Sequence, residues 1–127
     1  MTAETYTLEL VAPCEWIRSN DRRHFHAAAA LTRKWRETAA WRARQERLPK
    51  ITQPVEITAV IHRADRRKAD APNSWPSVKA AIDGLVDAGV LVDDNDTCVL
   101  ATTFRPGAVM ERSQLTLIIQ IVKEDAA

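Results

Sequence analysis

The sequence predicts an α+β fold, a small mixed four-stranded sheet with two helices against it, in the order strand, helix, strand, helix, strand, strand. Three observations carry this. Segments near both ends and in the middle alternate apolar and polar residues with a period of two. The stretch from Phe25 to Leu48 contains neither Gly nor Pro and is rich in Ala, Arg and Glu. The segment after Ser74 repeats its apolar residues at helical spacing. At 127 residues the chain is read as one domain, 1–127, long enough to bury a core without disulfides.

Taken in order, Tyr6, Leu8 and Leu10 alternate with Thr7 and Glu9, which predicts a first strand over 6–11 closed by Pro13. A loop from Cys14 to Asp21 ends in turn and helix-start residues. The long helix then runs from about Phe25 to Leu48. Phe25, Ala28, Ala29, Leu31, Trp35 and Ala39 suggest its apolar side, and Arg33, Lys34, Arg36, Arg42, Arg44 and Arg47 dress the remainder. Trp35 and Trp41 are read as packing residues. Pro49 and Pro54 frame a connection to a second strand, in which Val55, Ile57, Ala59 and Ile61 alternate with Glu56, Thr58 and His62. Ser74-Trp75-Pro76 opens the second helix, with Ser74 as its cap and Pro in the first turn, where a missing N–H has no partner to lose. Val78, Ala81, Ile82, Leu85 and Val86 form its buried face, Gly89 ends it, and Lys79 and Asp83, four apart, share another face. A third strand spans 99–104, Arg105-Pro106-Gly107 makes a turn, and a fourth strand from Ser113 to Val122 places Leu115, Leu117, Ile119 and Ile121 on one side.

Composition narrows the function classes. The hydrophobic fraction is 46% and the charged fraction 28%, ordinary for a soluble protein. No apolar run approaches the ~18 residues of a membrane span, and the first residues lack a secretory pattern. The expected location is the cytoplasm, with no membrane partner. Cys14 and Cys98 are read as two buried thiols in a reducing compartment rather than a metal knuckle. The net charge of +1 conceals segregation: 14 Lys/Arg stand against 5 Asp/Glu between Arg18 and Lys68, and one Lys against six Asp between Asp70 and Asp96. A basic half of this kind fits a polyanion.

Asp70, Asn73, Lys79, Asp83, Asp93, Asp94 and Asp96 follow directly on the basic run Arg63-Ala64-Asp65-Arg66-Arg67-Lys68. Each carboxylate weakens the pull of the cations on a polyanion, and a bound divalent cation removes that conflict. Mg²⁺, or Mn²⁺ in its place, takes oxygen ligands. The candidate ligands are Asp70, Asp83, Asp93 and Asp94, which converge if the second and third strands are neighbours. Lys79 would stabilise negative charge building on a phosphoryl group. Competing chemistries lack their motifs: Gly84, Gly89 and Gly107 make no phosphate loop, and there is no His-x-x-x-His, Cys-x-x-Cys or Gly-x-Ser-x-Gly. On residue types alone, Asp93-Asp94-Asn95-Asp96 is equally a good exposed turn, and Lys79 with Asp83 a simple helix ion pair.

In order, Asp65-Arg66-Arg67-Lys68-Ala69-Asp70, Asn73, Lys79-Ala80-Ala81-Ile82-Asp83-Gly84-Leu85 and Ala88-Gly89-Val90-Leu91-Val92-Asp93-Asp94 resemble the RusA-type Holliday-junction resolvases, small endonucleases of bacteria and their phages. Ser19-Asn20-Asp21-Arg22-Arg23-His24 is similar to the family's early Pro-Ser-Asn loop. The resemblance implies a homodimer that binds four-way DNA junctions and makes paired nicks with Mg²⁺ or Mn²⁺ in recombination and repair. It assigns catalysis to Asp70, Lys79 and Asp94, and DNA contacts to Asn20, Arg22, Arg23, His24, Arg66, Arg67, Lys68 and Asn73. One departure stands out. The family's Asp-x-Asp-Asn reads Asp70-Ala71-Pro72-Asn73 here, so the second aspartate is missing and Asp83 or Asp93 is left to replace it. The alternative is a protein that binds junctions without cutting them; a third reading is a scaffold whose charges only keep it soluble.

Overall fold

Four strands, β1 (Thr5–Val11), β2 (Val55–His62), β3 (Val99–Pro106) and β4 (Gln114–Ile121), form one sheet in the order β1-β4-β2-β3. The computed structural model describes residues 4–19, 25–64 and 71–122. β4 lies antiparallel between β1 and β2, while β2 and β3 run parallel, so the sheet is mixed as expected. The two helices are α1 (Phe25–Gln45) and α2 (Trp75–Asp87), the latter preceded by a 3₁₀ turn, Ala71–Ser74.

The period-two pattern explains the core. Leu8 and Leu10 of β1 pair with Leu117 and Leu115 of β4, and Ile57, Ala59 and Ile61 of β2 pair with Ile119, Leu117 and Leu115. All of these are buried, and they pack against Trp35, Ala39 and Ala43 of α1 and Val78, Ala81, Ile82 and Leu85 of α2. The opposite sides of the strands carry Thr7, Glu9, Glu56 and Gln120, which are exposed. Among the described residues no helix is long and apolar enough to cross a membrane.

The helices pack closely because their contact is lined by small residues. A Cβ on Gly84 would overlap the Arg36 carbonyl oxygen and press on Ala39 Cβ and Ala40 N, each 3.0 Å away. Both helices end in a Schellman closure. In α2, Gly89 N–H donates to Val86 O (3.0 Å) and Val90 N–H to Leu85 O (2.9 Å), with Gly89 at φ 79°. In α1, Arg47 N–H donates to Arg44 O and Leu48 N–H to Ala43 O, both 3.1 Å, with Arg47 itself at φ 54°. This closure ends α1 at Gln45, three residues short of the expected Leu48. The segment between β1 and α1 is strapped over the helices: Trp16 stacks on Trp35 with centroids 4.7 Å apart, Trp35 Nε1–H donates to Glu15 O (3.0 Å), and Ile17 N–H donates to Ser77 Oγ (2.7 Å).

Several expectations are corrected. Trp41 is not a packing residue; it is 60% exposed, because the buried side of α1 runs through Trp35, Ala39, Ala40 and Ala43 and Trp41 falls outside it. Ala29, expected on the apolar side, is likewise exposed. Ser74 precedes α2 but makes no side-chain cap; its hydroxyl is buried with no hydrogen-bond partner among the described residues. Arg105 and Pro106 continue β3 rather than turning, since Pro106 sits on the edge strand beside Ile61, where its missing N–H costs the ladder nothing. Cys14 and Cys98 are not joined in a disulfide, and both are only half-buried.

Candidate functional site

The helix spacing and a loop from the far end of the sheet build the site together. Lys79 lies one turn into α2, and Asp83 follows one turn later, so the i,i+4 geometry brings Lys79 Nζ to 2.7 Å from Asp83 Oδ1. The same ammonium donates to Asp94 Oδ2. Strand adjacency is not what delivers Asp94. Because β2 and β3 are parallel, the segment leaving β2 and the segment entering β3 lie at opposite ends of the sheet. The loop from Val92 to Cys98 carries Asp94 across to α2. Its base is fixed where Ile51 bridges Leu91 in parallel and Ile51 N–H donates to Val90 O (2.8 Å).

Asn95 organises that loop. Its side-chain oxygen accepts from Thr97 N–H (3.1 Å), Thr97 Oγ1–H (2.7 Å) and Cys98 N–H (3.2 Å), and its amide donates to Asp93 Oδ2 (3.2 Å). Asp93 Oδ1 in turn accepts the Asp94 N–H at 2.7 Å. The run Asp93-Asp94-Asn95-Asp96 is therefore a tight turn and a source of the site at once. Asp93 holds the turn, and Asp94 reaches Lys79. In the sequence Asn95 reads only as one member of an exposed turn; the turn is built by its side chain bonding the backbone two residues on, as Asn does.

Charge follows from this contact set. Burial works against the Lys79 ammonium, but the hydrogen bonds to Asp83 and Asp94 outweigh it and raise its pKa above the ordinary lysine value. The Lys79 hydrogen bond pulls the Asp94 carboxyl down to about 2, against the opposing effect of burial, and Asp83 and Asp93 add to the lowering. The trio of one cation and two carboxylates leaves a net negative charge, and an ammonium has three N–H donors, of which these partners use two.

Beside the trio lies a cleft of about 280 Å³ between α2 and the edge strand β3. Trp75, Lys79, Ile82, Asp94, Asp96, Leu100 and Thr102 are among the residues that line it. Trp75 is 37% exposed and packs edge-on against Phe104, with ring centroids 5.8 Å apart and planes at 84°. Trp75 at the cleft was not anticipated as a site residue.

The remaining expected residues divide in two. Asn73 sits in the 3₁₀ turn, where its carbonyl accepts from Ser19 N–H at 2.8 Å and ties the early strap to the start of α2. Asp70, Asn20, Arg22, Arg23, His24, Arg66, Arg67 and Lys68 lie outside the described residues. Pro72, where the resemblance leads one to expect a second aspartate, is exposed. An oxygen-only donor set of carboxylates suits a hard cation, and Mg²⁺ commonly needs one or two carboxylates with waters and substrate phosphate completing its shell. Asp83 and Asp94 satisfy that requirement in kind. Among the described residues no three His, Cys, Asp or Glu side chains converge to hold a metal.

The basic face of α1 is partly committed within the fold. Arg36 makes a bidentate pair with Asp87 at the end of α2 (2.6 and 2.8 Å), Arg44 donates to Asp87 O (3.2 Å), and Arg42 bonds Glu9 O, Gln45 and Glu46. No protein-family model matches the chain, and no curated protein is found to be similar to it.

Proposed function

We propose that the chain is a divalent-cation-dependent endonuclease of the RusA resolvase kind, working as a homodimer on four-way DNA junctions in recombination and repair, in a bacterial or phage-infected cytoplasm. The observation that carries this reading is the joint hold of Asp83 and Asp94 on Lys79, with Lys79 and Asp94 lining a cleft. Sequence order alone left that meeting of helix and loop open. A divalent ion bound there supplies an activated water and a Lewis acid. The chain's own residues do the rest. Asp94, with its pKa near 2, stays ionised at neutral pH and accepts a cation without first losing a proton. Asp83 stands with Asp94, whereas Asp93 is engaged by its own turn, so Asp83 is the better substitute for the missing aspartate. Lys79 keeps its charge at any working pH, and its remaining N–H is available to a phosphate oxygen whose charge grows during attack.

The test is nicking of a synthetic four-way junction with Mg²⁺. Asp94→Asn and Asp70→Asn are each expected to lose nicking, and Lys79→Met to lose roughly 10²–10³-fold, the scale for one transition-state donor. Undiminished nicking by both aspartate variants would sink the metal-site reading. A second reading, junction binding without cutting, is favoured by Pro72 standing where the family carries a carboxylate. It predicts salt-sensitive binding and no product that depends on a divalent ion.

A further inference from the structure

We propose that Trp75 is a stacking platform that seats one nucleobase in the cleft beside Lys79, and so sets which nucleotide is presented to the carboxylates. The inference rests on the nucleic-acid reading and goes beyond it by giving a role to a residue outside the expected set.

Four observations carry it. Trp75 is a large aromatic side chain left 37% exposed where the cleft opens. Its orientation is fixed: Phe104 of β3 braces it edge-on, and Pro76 follows it in the first turn of the helix. Lys79 is four residues on, hence on the same side of α2, about 5–6 Å away between Cβ atoms. The cleft lining is mixed. Trp75, Ile82 and Leu100 give it apolar surface, and Lys79, Asp94 and Asp96 give it charge. A nucleotide is mixed in the same way, with a flat base that stacks and a phosphate that needs a cation. A branch point in DNA provides bases whose neighbours are already partly unstacked. The indole is braced by Phe104, is 37% exposed and lines the cleft, the combination a stacking surface needs.

The experiment uses tryptophan emission. Trp16 and Trp35 are buried, so in a Trp41→Phe background Trp75 is the single exposed tryptophan of the four. That protein is titrated with a four-way junction in Ca²⁺, and with the same junction lacking the bases at the branch. Trp41→Phe/Trp75→Phe gives the background signal. Saturable quenching by the intact junction, much reduced with the abasic one, is the expected result. In parallel, Trp75→Leu should weaken junction binding by roughly 5- to 150-fold while Trp75→Phe restores most of it, and thermal unfolding of each variant verifies that the fold is kept. Junction nicking with Mg²⁺ is measured separately, so the two ideas fail separately. Normal nicking with no Trp75 quenching, or with equal quenching by the abasic junction, overturns the platform and leaves the nuclease. Base-dependent quenching without nicking keeps the platform and removes the nuclease. A protein that binds no junction at all overturns both.

Discussion

Asp94 shows how one contact sets both chemistry and acid stability. Its folded pKa, near 2, lies below the ordinary carboxyl value, so its contribution to stability is complete above about pH 4 and is lost as pH falls toward 2. Urea unfolding of wild type and Asp94→Asn should therefore differ most near neutral pH and converge as pH drops through that window; a constant difference would mean the carboxylate is not held by Lys79. The lysine adds the opposite limb. Its raised pKa keeps its contribution intact below the usual lysine value and surrenders it only at higher pH. At this scale the sequence was legible in part. The Lys79–Asp83 spacing is a local fact of helical geometry and needed no fold to be read. The approach of Asp94 depends on how far a seven-residue loop, 92–98, climbs after a parallel crossover, and no spacing rule encodes that climb.

Helix ends and helix contacts decide the arrangement of elements. Gly84→Ala gains about 1 kcal/mol in helix propensity, but the new methyl collides with backbone of α1 and overpacking of this kind costs about 1–3 kcal/mol. The expected net result is a lower melting temperature, and unchanged stability would argue against the close crossing. Arg47→Gly runs the other way. A side chain at φ 54° costs about 1–2 kcal/mol relative to glycine, and the flexibility of glycine returns about half of that, so a small rise in melting temperature is expected. The element boundaries were mostly readable because Gly89, Pro13 and the alternating strands are local signals. The side of α1 that faces inward was read with a shift. Alanine is apolar enough to suggest a buried face and small enough to lie on any, so the run at 27–30 gave no direction, and Trp41 was placed inside when it is outside.

At the scale of the molecule, net charge is a poor guide to where a polyanion would lie. Arg36, Arg42 and Arg44, which contributed to the basic half of the sequence, are occupied with intramolecular partners. The cations proposed as DNA contacts are instead those of the sequence runs 22–23 and 66–68, which lie outside the described residues. Replacing Arg66 and Arg67 with Gln should lower the salt slope of junction binding by about 0.9 for each phosphate contact removed, whereas Arg36→Gln should leave the slope unchanged and cost stability through Asp87. Filter binding across a salt series separates these outcomes. The strand and helix order followed from periodicity, while the pairing of β3 beside β2 rather than β4 did not, since neighbours in sequence were free to form a hairpin. That parallel pairing has a bearing on tolerance to length change. The chain travels down α2, reverses at Gly89, is pinned at Leu91 and then has three residues in which to bring a carboxylate to an ammonium. One added residue there displaces the acid by about 3.3 Å, more than a hydrogen bond can absorb, whereas the connection between β3 and β4 is tied to the end of β2 at Gly107, Ala108, Met110 and Ser113 and leaves the exposed Glu111 and Arg112 between those ties. An insertion between Glu111 and Arg112 should thus be silent and one between Val92 and Asp93 disabling.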